Sequence, residues 1–369
     1  MLLLKQVWTL VLTGGPCSGK TTGLATIEQE LTNRGYYVLI VPETATELIS
    51  TGIRPFGNSL EVLPFQYIVF EKQLHKEELY RKVANMLPAD KIVILHDRGI
   101  IDNKSYIDSQ QFEGLLHHFS MNEVEARDRY DAVFHLVTAA NGAEDFYTLA
   151  NNAARTETVE EARALDKRGI SNWTGHPHFR IIDNSTNFED KMARLMNEVY
   201  AVLGEPIPLE IERKFLIKKP DLDVLSHNAS ITVVDIVQTY LKSNGNAERR
   251  IRQRGQNGNF SYYLTEKQEI DSLRRVELEK KISEKEYISY LSEMDISLAP
   301  IVKKRVCFVY NSQYFEVDLF DFCHDRALME IELTSEATSI DHPNFIEVIK
   351  EVTNDPRYRN HSLAKSQTL

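Results

Sequence analysis

The chain has 369 residues and a formal net charge of −11 at pH 7. This length exceeds what one ordinary hydrophobic core accommodates and indicates two domains. The acidic balance argues against a general nucleic-acid-binding protein, because phosphate contacts need a basic surface. A local anion-binding pocket remains compatible with it, since local charge can oppose net charge.

The three cysteines, Cys17, Cys307 and Cys323, are few, odd in number and lack the spacing of a metal site. A reducing compartment is the simplest interpretation. The apolar run at the N-terminus, residues 2–4, is too short for a signal peptide or a membrane span. We therefore expect a cytoplasmic protein that does not bind membranes. The sequence gives no sign of the oligomeric state.

The first half of the chain alternates strand-like and helix-like segments. Helical periodicity is clear at residues 21–33 and 187–203. Such alternation predicts an α/β domain in which helices cover both faces of a parallel sheet. The predicted strands are residues 7–13, 37–41, 92–96, 132–137 and 179–182.

A phosphate-binding loop (P-loop) motif lies between the first predicted strand and helix. Residues 14–21, GGPCSGKT, match G-x-x-x-x-G-K-[ST] in full. In this setting backbone amides turn toward phosphate, Lys20 reaches the terminal phosphates and Thr21 offers its hydroxyl to Mg²⁺. The motif predicts ATP or GTP binding, and the alternative is a loop kept for folding or regulation without turnover. The predicted nucleotide-binding residues are Gly14, Gly15, Ser18, Gly19, Lys20, Thr21 and Thr22.

Polar residues follow the second and third predicted strands, where an open parallel sheet binds its ligand. Glu43 lies in VPETA, and Asp97 with Arg98 in HDRG. Over roughly residues 7–183 these segments resemble the AAA-like ATPase domains of the nucleoside-kinase branch, whose pattern is GGPxxGKTT, PExA and DRG. The resemblance implies that Asp97 binds Mg²⁺ through water or acts as a base, and that Glu43 faces the acceptor hydroxyl. An N-cap carboxylate at Glu43 and a salt bridge between Asp97 and Arg98 are equal alternatives.

A charged segment at residues 151–168 looks like the lid of a phosphoryl-transfer enzyme. It carries Arg155, Arg163 and Arg168. A mobile arginine can neutralise the charge that develops on a transferred phosphoryl group. For any single arginine, pairing with a nearby glutamate on a solvated helix is the more ordinary explanation.

The sequence pattern changes after residue 203. Gly204, Pro206 and Pro208 mark a short connection. We therefore place a P-loop domain at residues 1–205 and a second domain at residues 208–369. The second domain is mainly strand-like, with helices predicted at residues 284–294 and near residues 344–352.

Charged residues recur at a spacing of two, six times, in the second domain. Residues i and i+2 of a strand point to the same side, so each set shares one face while apolar neighbours pack on the other. A solvated sheet face is the ordinary explanation. Some of these strands, however, present only carboxylates or only cations, whereas a solvated face mixes them. The sets are Glu210, Glu212 and Lys214; Arg250 and Arg252; Glu277 and Glu279; Lys303 and Arg305; Glu316 and Asp318; and Glu330 and Glu332.

We predict that this sheet closes into an antiparallel β-barrel whose charged faces line a tunnel. Buried like charges repel, so metal ions would have to join the carboxylates and an anion the cations. Carboxylates suit Mg²⁺ or Mn²⁺, and Lys and Arg suit phosphate oxygens. The predicted ligand is a metal-bound oligophosphate.

The string EIERKFLI, residues 210–217, resembles the signature of the CYTH or triphosphate tunnel metalloenzyme family. Later segments follow in the family's order, from ERRIR to LMEIEL, and the resemblance covers residues 209 to about 364. It implies an α+β tunnel domain that hydrolyses a triphosphate compound with Mg²⁺ or Mn²⁺. Family members act on inorganic triphosphate, thiamine triphosphate, nucleoside triphosphates or RNA 5′-triphosphate ends, and some cyclise ATP.

The tunnel residues do not choose among these substrates. Inorganic tripolyphosphate needs no pocket for a base and ranks first, while RNA ends rank lower because the chain is acidic. Adenylate cyclase activity, or binding of nucleotide or polyphosphate without turnover, remains an alternative.

The predicted roles in the tunnel follow from charge and, for Lys267, from the resemblance, which includes the segment YLTEK that ends at this residue. Triphosphate would be bound by Lys214, Arg250, Arg252, Lys267, Lys303 and Arg305. Metal would be bound by Glu210, Glu212, Glu277, Glu279, Asp318, Glu330 and Glu332, and in the first domain by Thr21. The predicted catalytic residues are Glu210, Glu212, Lys214, Glu330 and Glu332, with Asp97 in the first domain.

Overall fold

The computed structural model describes residues 5–55, 60–144, 158–205, 211–243, 248–271, 274–333 and 339–369. It divides into two compact units, Met1–Met196 and Asn197–Leu369. The predicted connection at residues 206–208 lies outside the described residues, so the predicted domain boundary stays a prediction.

The first unit is built on a parallel sheet with the strand order β2-β3-β1-β4-β5. All five strands lie where the sequence predicts them. β1, β3 and β4 are almost entirely buried, as is typical of strands covered on both faces. The strands are β1 (Gln6–Gly14), β2 (Tyr37–Val41), β3 (Lys91–Asp97), β4 (Ala132–Leu136) and β5 (Phe179–Ile182).

Helices connect these strands, and one further helix, α7 (Phe188–Val202), follows the last strand and runs past Met196. The first buries Leu24, Ile27 and Leu31, a spacing that places them on one helical face. The parallel sheet and its connecting helices confirm the α/β class that the sequence predicts for this part of the chain. The helices are α1 (Lys20–Asn33), α2 (Thr44–Ser50), α3 (Val62–Met86), α4 (Ser109–His118), α5 (Glu123–Arg127), α6 (Val159–Trp173) and α7 (Phe188–Val202), with a 3-10 turn at Ile100–Ser105.

The second unit is built on an antiparallel sheet with the strand order β10-β9-β8-β7-β11-β12-β13-β6-β14. The strands are β6 (Ile211–Lys218), β7 (Ile231–Tyr240), β8 (Glu248–Gln256), β9 (Asn259–Asp271), β10 (Arg274–Ile282), β11 (Ile301–Tyr310), β12 (Gln313–Phe320), β13 (Arg326–Leu333) and β14 (Val348–Glu351). The helices are α8 (Leu222–Asn228), α9 (Glu284–Tyr290) and α10 (Asn360–Ser366), with 3-10 turns at Leu291–Glu293 and Pro356–Tyr358.

One face of this sheet is apolar, as the two-residue spacing predicts. Phe215, Val306, Val317, Met329 and Ile331 come from neighbouring strands and share one buried cluster. The opposite face carries the charged rows. At one end of that face, a second apolar cluster joins Leu216, Phe320 and Leu328 to Leu363 of α10. The charged rows therefore stop at an apolar end that α10 helps to form.

In this unit one predicted helix is a strand, and the predicted antiparallel sheet is present. The helix expected near residues 344–352 is wrong, because Val348–Glu351 pairs with β6 as strand β14, and Val352 N donates to Lys214 O at 2.8 Å. The backbone groups on the outer edge of β6 form hydrogen bonds with residues 348–351. Local helical periodicity cannot reveal such a pairing between distant segments. The sheet is antiparallel, as expected. Among the described residues no strand pairing joins the two edge strands, β10 and β14, so the predicted closure into a barrel is not observed there.

Candidate functional site

The P-loop runs from the end of β1 to the start of α1, as predicted. Gly14 and Gly19 have φ values of 149° and 93°. A Cβ atom at Gly14 would lie 2.2 Å from the Leu136 carbonyl oxygen, so no side chain fits there. Ser18 is 2% exposed, and its hydroxyl has no partner among the described residues. An unpartnered buried hydroxyl beside a helix N-terminus fits an anionic ligand.

The remaining predicted P-loop residues lie at the start of α1. Lys20 Nζ lies 3.3 Å from the Gly14 carbonyl oxygen, and Thr21 and Thr22 are exposed. Their side chains are therefore accessible to a nucleotide on the solvent side of the loop.

A side chain from α6 binds this loop and was not predicted. Asp166 is 3% exposed, and its Oδ1 accepts hydrogen bonds from the backbone N–H groups of Gly15 and Thr138, at 2.9 and 3.2 Å. His135 Nε2 lies 2.9 Å from the same oxygen. Gly15 and Asp166 are 151 positions apart in sequence. No local pattern could have paired them.

The structure places Glu43 and Arg98 in contact at the carboxyl ends of β2 and β3. Arg98 Nε donates to Glu43 Oε1 at 2.5 Å, and Thr46 Oγ1 donates to Glu43 Oε2 at 2.7 Å. Burial alone would raise the pKa of Glu43, but the Arg98 and Lys20 cations lower it to about 2. Glu43 precedes α2 at the N-cap position, yet its side chain accepts no capping hydrogen bond. The ion pair with Arg98 is therefore its main contact.

Asp97 lies beside this pair and has a different environment. Its Oδ1 is buried and has no hydrogen-bond partner among the described residues, so the alternative of a salt bridge with Arg98 is not observed there. Burial raises the pKa of Asp97, and the Glu43 carboxylate adds to the rise while the Lys20 cation opposes it. An unpaired carboxylate oxygen near Lys20 fits a hydrated Mg²⁺ carried by a nucleotide. Its roles as magnesium ligand or base stay predictions.

The predicted lid is described in part. Arg155 lies outside the described residues. Arg163 donates to Ala140 O at 2.6 Å and to Glu144 Oε1 at 2.9 Å, and Arg168 donates to Ser105 O at 3.1 Å. These arginines bind groups of other segments of the same unit rather than glutamates on their own helix.

In the second unit, neighbouring strands bring acidic and basic rows together on the charged face. Arg305 on β11 donates to both oxygens of Asp318 on β12, each at 2.7 Å, and to Glu330 on β13 at 2.9 Å. It also pairs with Glu316, and Lys303 pairs with Asp318. The register explains these contacts, because Arg305 lies opposite Asp318, and Glu316 opposite Glu330.

A third cation joins from β6. Lys214 Nζ lies 2.8 Å from Glu330 Oε1 and 3.2 Å from Glu212 Oε1. Apart from the exposed Glu212, three cations and three carboxylates form one network in which three side chains are buried and three half-buried. We call it the charged cluster: Lys214, Lys303, Arg305, Glu316, Asp318 and Glu330.

The pKa shifts in the charged cluster follow from mutual pairing. Burial would raise the pKa of Asp318, but Arg305 and Lys303 hold it well below its ordinary value. The pKa of Glu330 is lowered as well, against the effect of burial, chiefly by Lys214. Burial lowers the pKa of Lys303 to about 8 although Asp318 opposes the fall. Because their pKa values are lowered, Asp318 and Glu330 are ionised at neutral pH.

The other predicted tunnel cations lie on β8 and β9. Arg250 is 7% exposed, and Arg252 donates to Glu279 at 3.3 Å. Lys267 lies opposite Glu248 in the register of β9 with β8. Arg254 is 2% exposed and continues the series Arg250 and Arg252 on the same face of β8. The spacing of two in the sequence could have identified this residue. Thr265 also contacts Glu279, at 2.9 Å.

The predicted metal ligands are only partly brought together. Glu210 and the side chain of Glu277 lie outside the described residues. Glu212 and Glu332 lie opposite each other in the register of β6 with β13, and both are exposed. The carboxylates carry the oxygen donors that Mg²⁺ and Mn²⁺ prefer. Within the described ranges, however, no three acidic, histidine or cysteine side chains are grouped so as to hold a metal ion. Their metal-binding role stays a prediction.

Comparison with known proteins assigns a family to each part of the chain. Residues 9–191 match the model of an AAA domain, and residues 208–358 match the model of a CYTH domain. No curated protein matches the chain. In the part of the chain that the structure describes, no helix is long and apolar enough to cross a membrane.

Several solved structures are similar to part of the chain. The inorganic triphosphatase NE1496 is 30% identical over 43% of this chain and 97% of its own, with a TM-score of 0.32. A conserved hypothetical protein from Pyrococcus furiosus is 24% identical over 34% of this chain and 80% of its own, with a TM-score of 0.26. The PH1012 protein from Pyrococcus horikoshii OT3 is 19% identical over the same shares, also with a TM-score of 0.26.

Proposed function

The chain joins an AAA domain to a CYTH domain, and we propose that the CYTH domain is a metal-dependent hydrolase of triphosphate compounds. The observation that carries this proposal is the charged cluster. Buried ion pairs contribute little net stability, because desolvation offsets their attraction, and apolar side chains would pack as well or better. Six acidic and basic side chains on one face of the sheet, three of them buried and three half-buried, are therefore best explained by a charged ligand.

The charged cluster offers separate partners for phosphate and for metal. Arg305 has a planar guanidinium that can bind two phosphate oxygens at once, while Lys214 and Lys303 act as point charges. When these three cations bind phosphate, a metal cation would replace them as the partner of Asp318 and Glu330. Every buried charge then keeps an opposite partner. A divalent metal, when bound, neutralises phosphate charge and lowers the pKa of a coordinated water.

The preferred substrate is inorganic tripolyphosphate. A nucleoside triphosphate needs a pocket for its base in addition to groups that bind its phosphates. A substrate without a base needs no such pocket.

For the AAA domain we propose ATP or GTP binding at residues 14–22. Support comes from the φ values of Gly14 and Gly19, the unpartnered Ser18 hydroxyl and the unpaired Asp97 oxygen. Phosphoryl transfer to an acceptor hydroxyl near Glu43 and Asp97 is part of the same proposal. The acceptor itself is not specified by these residues.

A phosphate-release assay tests the hydrolase. Purified protein with Mg²⁺ or Mn²⁺ is given tripolyphosphate, ATP, GTP, thiamine triphosphate and triphosphate-ended RNA, and products of ATP are separated by chromatography. Wild type should release phosphate from tripolyphosphate. Lys214→Ala should lose at least about 100-fold in rate, as expected for a group that stabilises charge in the transition state.

Arg213→Ala is the matched control, because Arg213 is the next residue on β6 and pairs with Glu351 on the opposite face. It should change the rate by less than about threefold, the range of a surface ion pair. Lys20→Ala should leave tripolyphosphate hydrolysis intact. Equal losses in Lys214→Ala and Arg213→Ala would contradict the proposal, and so would formation of cyclic AMP with pyrophosphate from ATP.

A further inference from the structure

Lys191 lies on α7 and is almost completely buried, with 3% of its surface exposed. Its ammonium donates three hydrogen bonds, to Ser18 O at 3.2 Å, Val137 O at 2.9 Å and Asn184 Oδ1 at 2.7 Å. These acceptors belong to the P-loop, the residue after β4 and the loop after β5. One buried side chain therefore joins three segments at the carboxyl edge of the sheet.

All three acceptors of Lys191 are neutral oxygens. No carboxylate in the described ranges lies within salt-bridge distance of its ammonium, although Asp166 and Asp183 attract it from further away and Arg194 repels it. A buried cation without an ion-pair partner is costly and is usually retained for an anion. Burial lowers the pKa of Lys191 to about 8, in agreement with a charge that lacks a close counterion.

The contact with Ser18 fixes the direction of a P-loop peptide. In a trans peptide the carbonyl and the following N–H point in opposite directions. Thr138 Oγ1 donates to Pro16 O, Ala139 N donates to Cys17 O at 3.3 Å, and Lys191 donates to Ser18 O. Three successive carbonyls are thus held on one side of the loop.

The N–H groups of Cys17, Ser18 and Gly19 must consequently point to the other side. Successive backbone N–H groups turned the same way form an anion-binding concavity. Among the three contacts that set this direction, only the one at Ser18 comes from a charged group.

We propose that Lys191 is a positioning residue of the nucleotide site, which orients the Ser18–Gly19 peptide and supplies positive charge to the nucleotide phosphates without touching them. This inference rests on the proposed binding of ATP or GTP at the P-loop. It assigns a role to a residue outside the motif, on a helix that follows the last strand of the sheet.

The pH dependence of nucleotide binding tests the inference in the wild-type protein alone. Protonated Lys191 favours the anion, so affinity for a fluorescent ATP analogue should be constant below the pKa of about 8 and should weaken above it. The logarithm of Kd should rise by up to about one unit per pH unit as that proton is lost. Fluorescence titration from about pH 7.5 to 9.5 measures the profile, and adenosine, which lacks phosphate, should show no such rise.

Variants separate charge from shape. Lys191→Met should raise Kd for the ATP analogue at pH 7.5 by about tenfold, equal to roughly 1.4 kcal/mol, and should abolish the pH dependence. Lys191→Arg keeps its charge across this range. It should bind within about threefold of wild type, a loss of less than about 1 kcal/mol, and also show a flat profile. Lys82→Met removes an exposed lysine of α3 and should match wild type throughout.

The outcomes distinguish the two proposals. If the wild type binds no nucleotide at any pH, the proposed function of the AAA domain fails, and the inference fails with it. If the wild type binds but its profile is flat, or if Lys191→Met shows the same rise as wild type, only the inference about Lys191 is overturned. Thermal unfolding of each variant verifies that it is folded, and the wild-type profile requires no variant.

Discussion

Individual ion pairs set the electrostatic character of both units. Glu43 and Arg98 neutralise each other at the edge of the parallel sheet, whereas Asp97 beside them keeps one oxygen unpaired. Two neighbouring carboxylates thus have pKa values shifted in opposite directions, that of Glu43 down and that of Asp97 up. Such separation is typical of functional sites, where one carboxylate stays ionised and another can exchange a proton.

The Glu43–Arg98 pair gives a prediction for stability against pH. The folded-state pKa of about 2 lies below the ordinary value near 4.3, so ionised Glu43, with Arg98, Lys20 and Thr46 around it, contributes stability above about pH 4.5 that is lost as pH falls toward 2. Glu43→Gln should lower the free energy of unfolding at pH 7 by an amount on the order of 2–3 kcal/mol. At about pH 3 the difference between the variant and wild type should shrink to about 1 kcal/mol.

Urea unfolding at both pH values measures this effect. Glu28→Gln, a change at an exposed position of α1, is the control and should alter stability by less than about 0.5 kcal/mol at either pH. A Glu43→Gln difference that stays constant between the two pH values would contradict the assignment.

At the scale of single elements, the connection between β1 and α1 depends on glycine. Gly19 has a φ of 93°, and a Cβ atom there would lie 2.8 Å from the ring of Phe188. Gly35, after α1, has a similar φ of 82° but open space around it. The two positions therefore differ in steric room and in their distance along the chain from the P-loop.

Gly19→Ala should destabilise the protein by the roughly 1–2 kcal/mol of a left-handed non-glycine residue, because the half-exposed Phe188 ring can move aside, and it should abolish nucleotide binding. Gly35→Ala should destabilise the protein by that same backbone cost and leave nucleotide affinity unchanged. Thermal unfolding and titration with the fluorescent ATP analogue measure both effects. Equal nucleotide affinities of the two variants would contradict the role of Gly19 in the P-loop.

At the scale of the whole molecule, the chain contains two compact units, each with its own sheet and its own group of polar residues. Each proposed ligand binds within one unit. Ligands that bind only the folded state stabilise it in proportion to the logarithm of their concentration.

Calorimetry of the full chain should therefore resolve two unfolding transitions with separate ligand responses. Tripolyphosphate at about 100 times its Kd should stabilise one transition by about 2.7 kcal/mol, and Lys214→Ala should remove that shift. ATP should stabilise the other transition, and Lys20→Ala should remove that shift. A single transition that both ligands raise together, unaltered by either variant, would contradict separate sites.

Local sequence determined much of this protein. The P-loop and the polar residues after β2 and β3 depend on short motifs at strand ends, and the charged rows depend on the two-residue period of a strand. Both are properties of neighbouring residues, which is why the five strands of the first unit and the two faces of the second sheet were predicted correctly.

Only the tertiary structure decided which of these residues are partners. Gly15 with Asp166, Ser18 with Lys191, and Glu43 with Arg98 join positions far apart in the chain. The packing of separate elements sets such pairs, and no local period encodes it. The same reason explains residues 348–351, whose sequence has a helical pattern but which form a strand because an edge of β6 was available to pair with them.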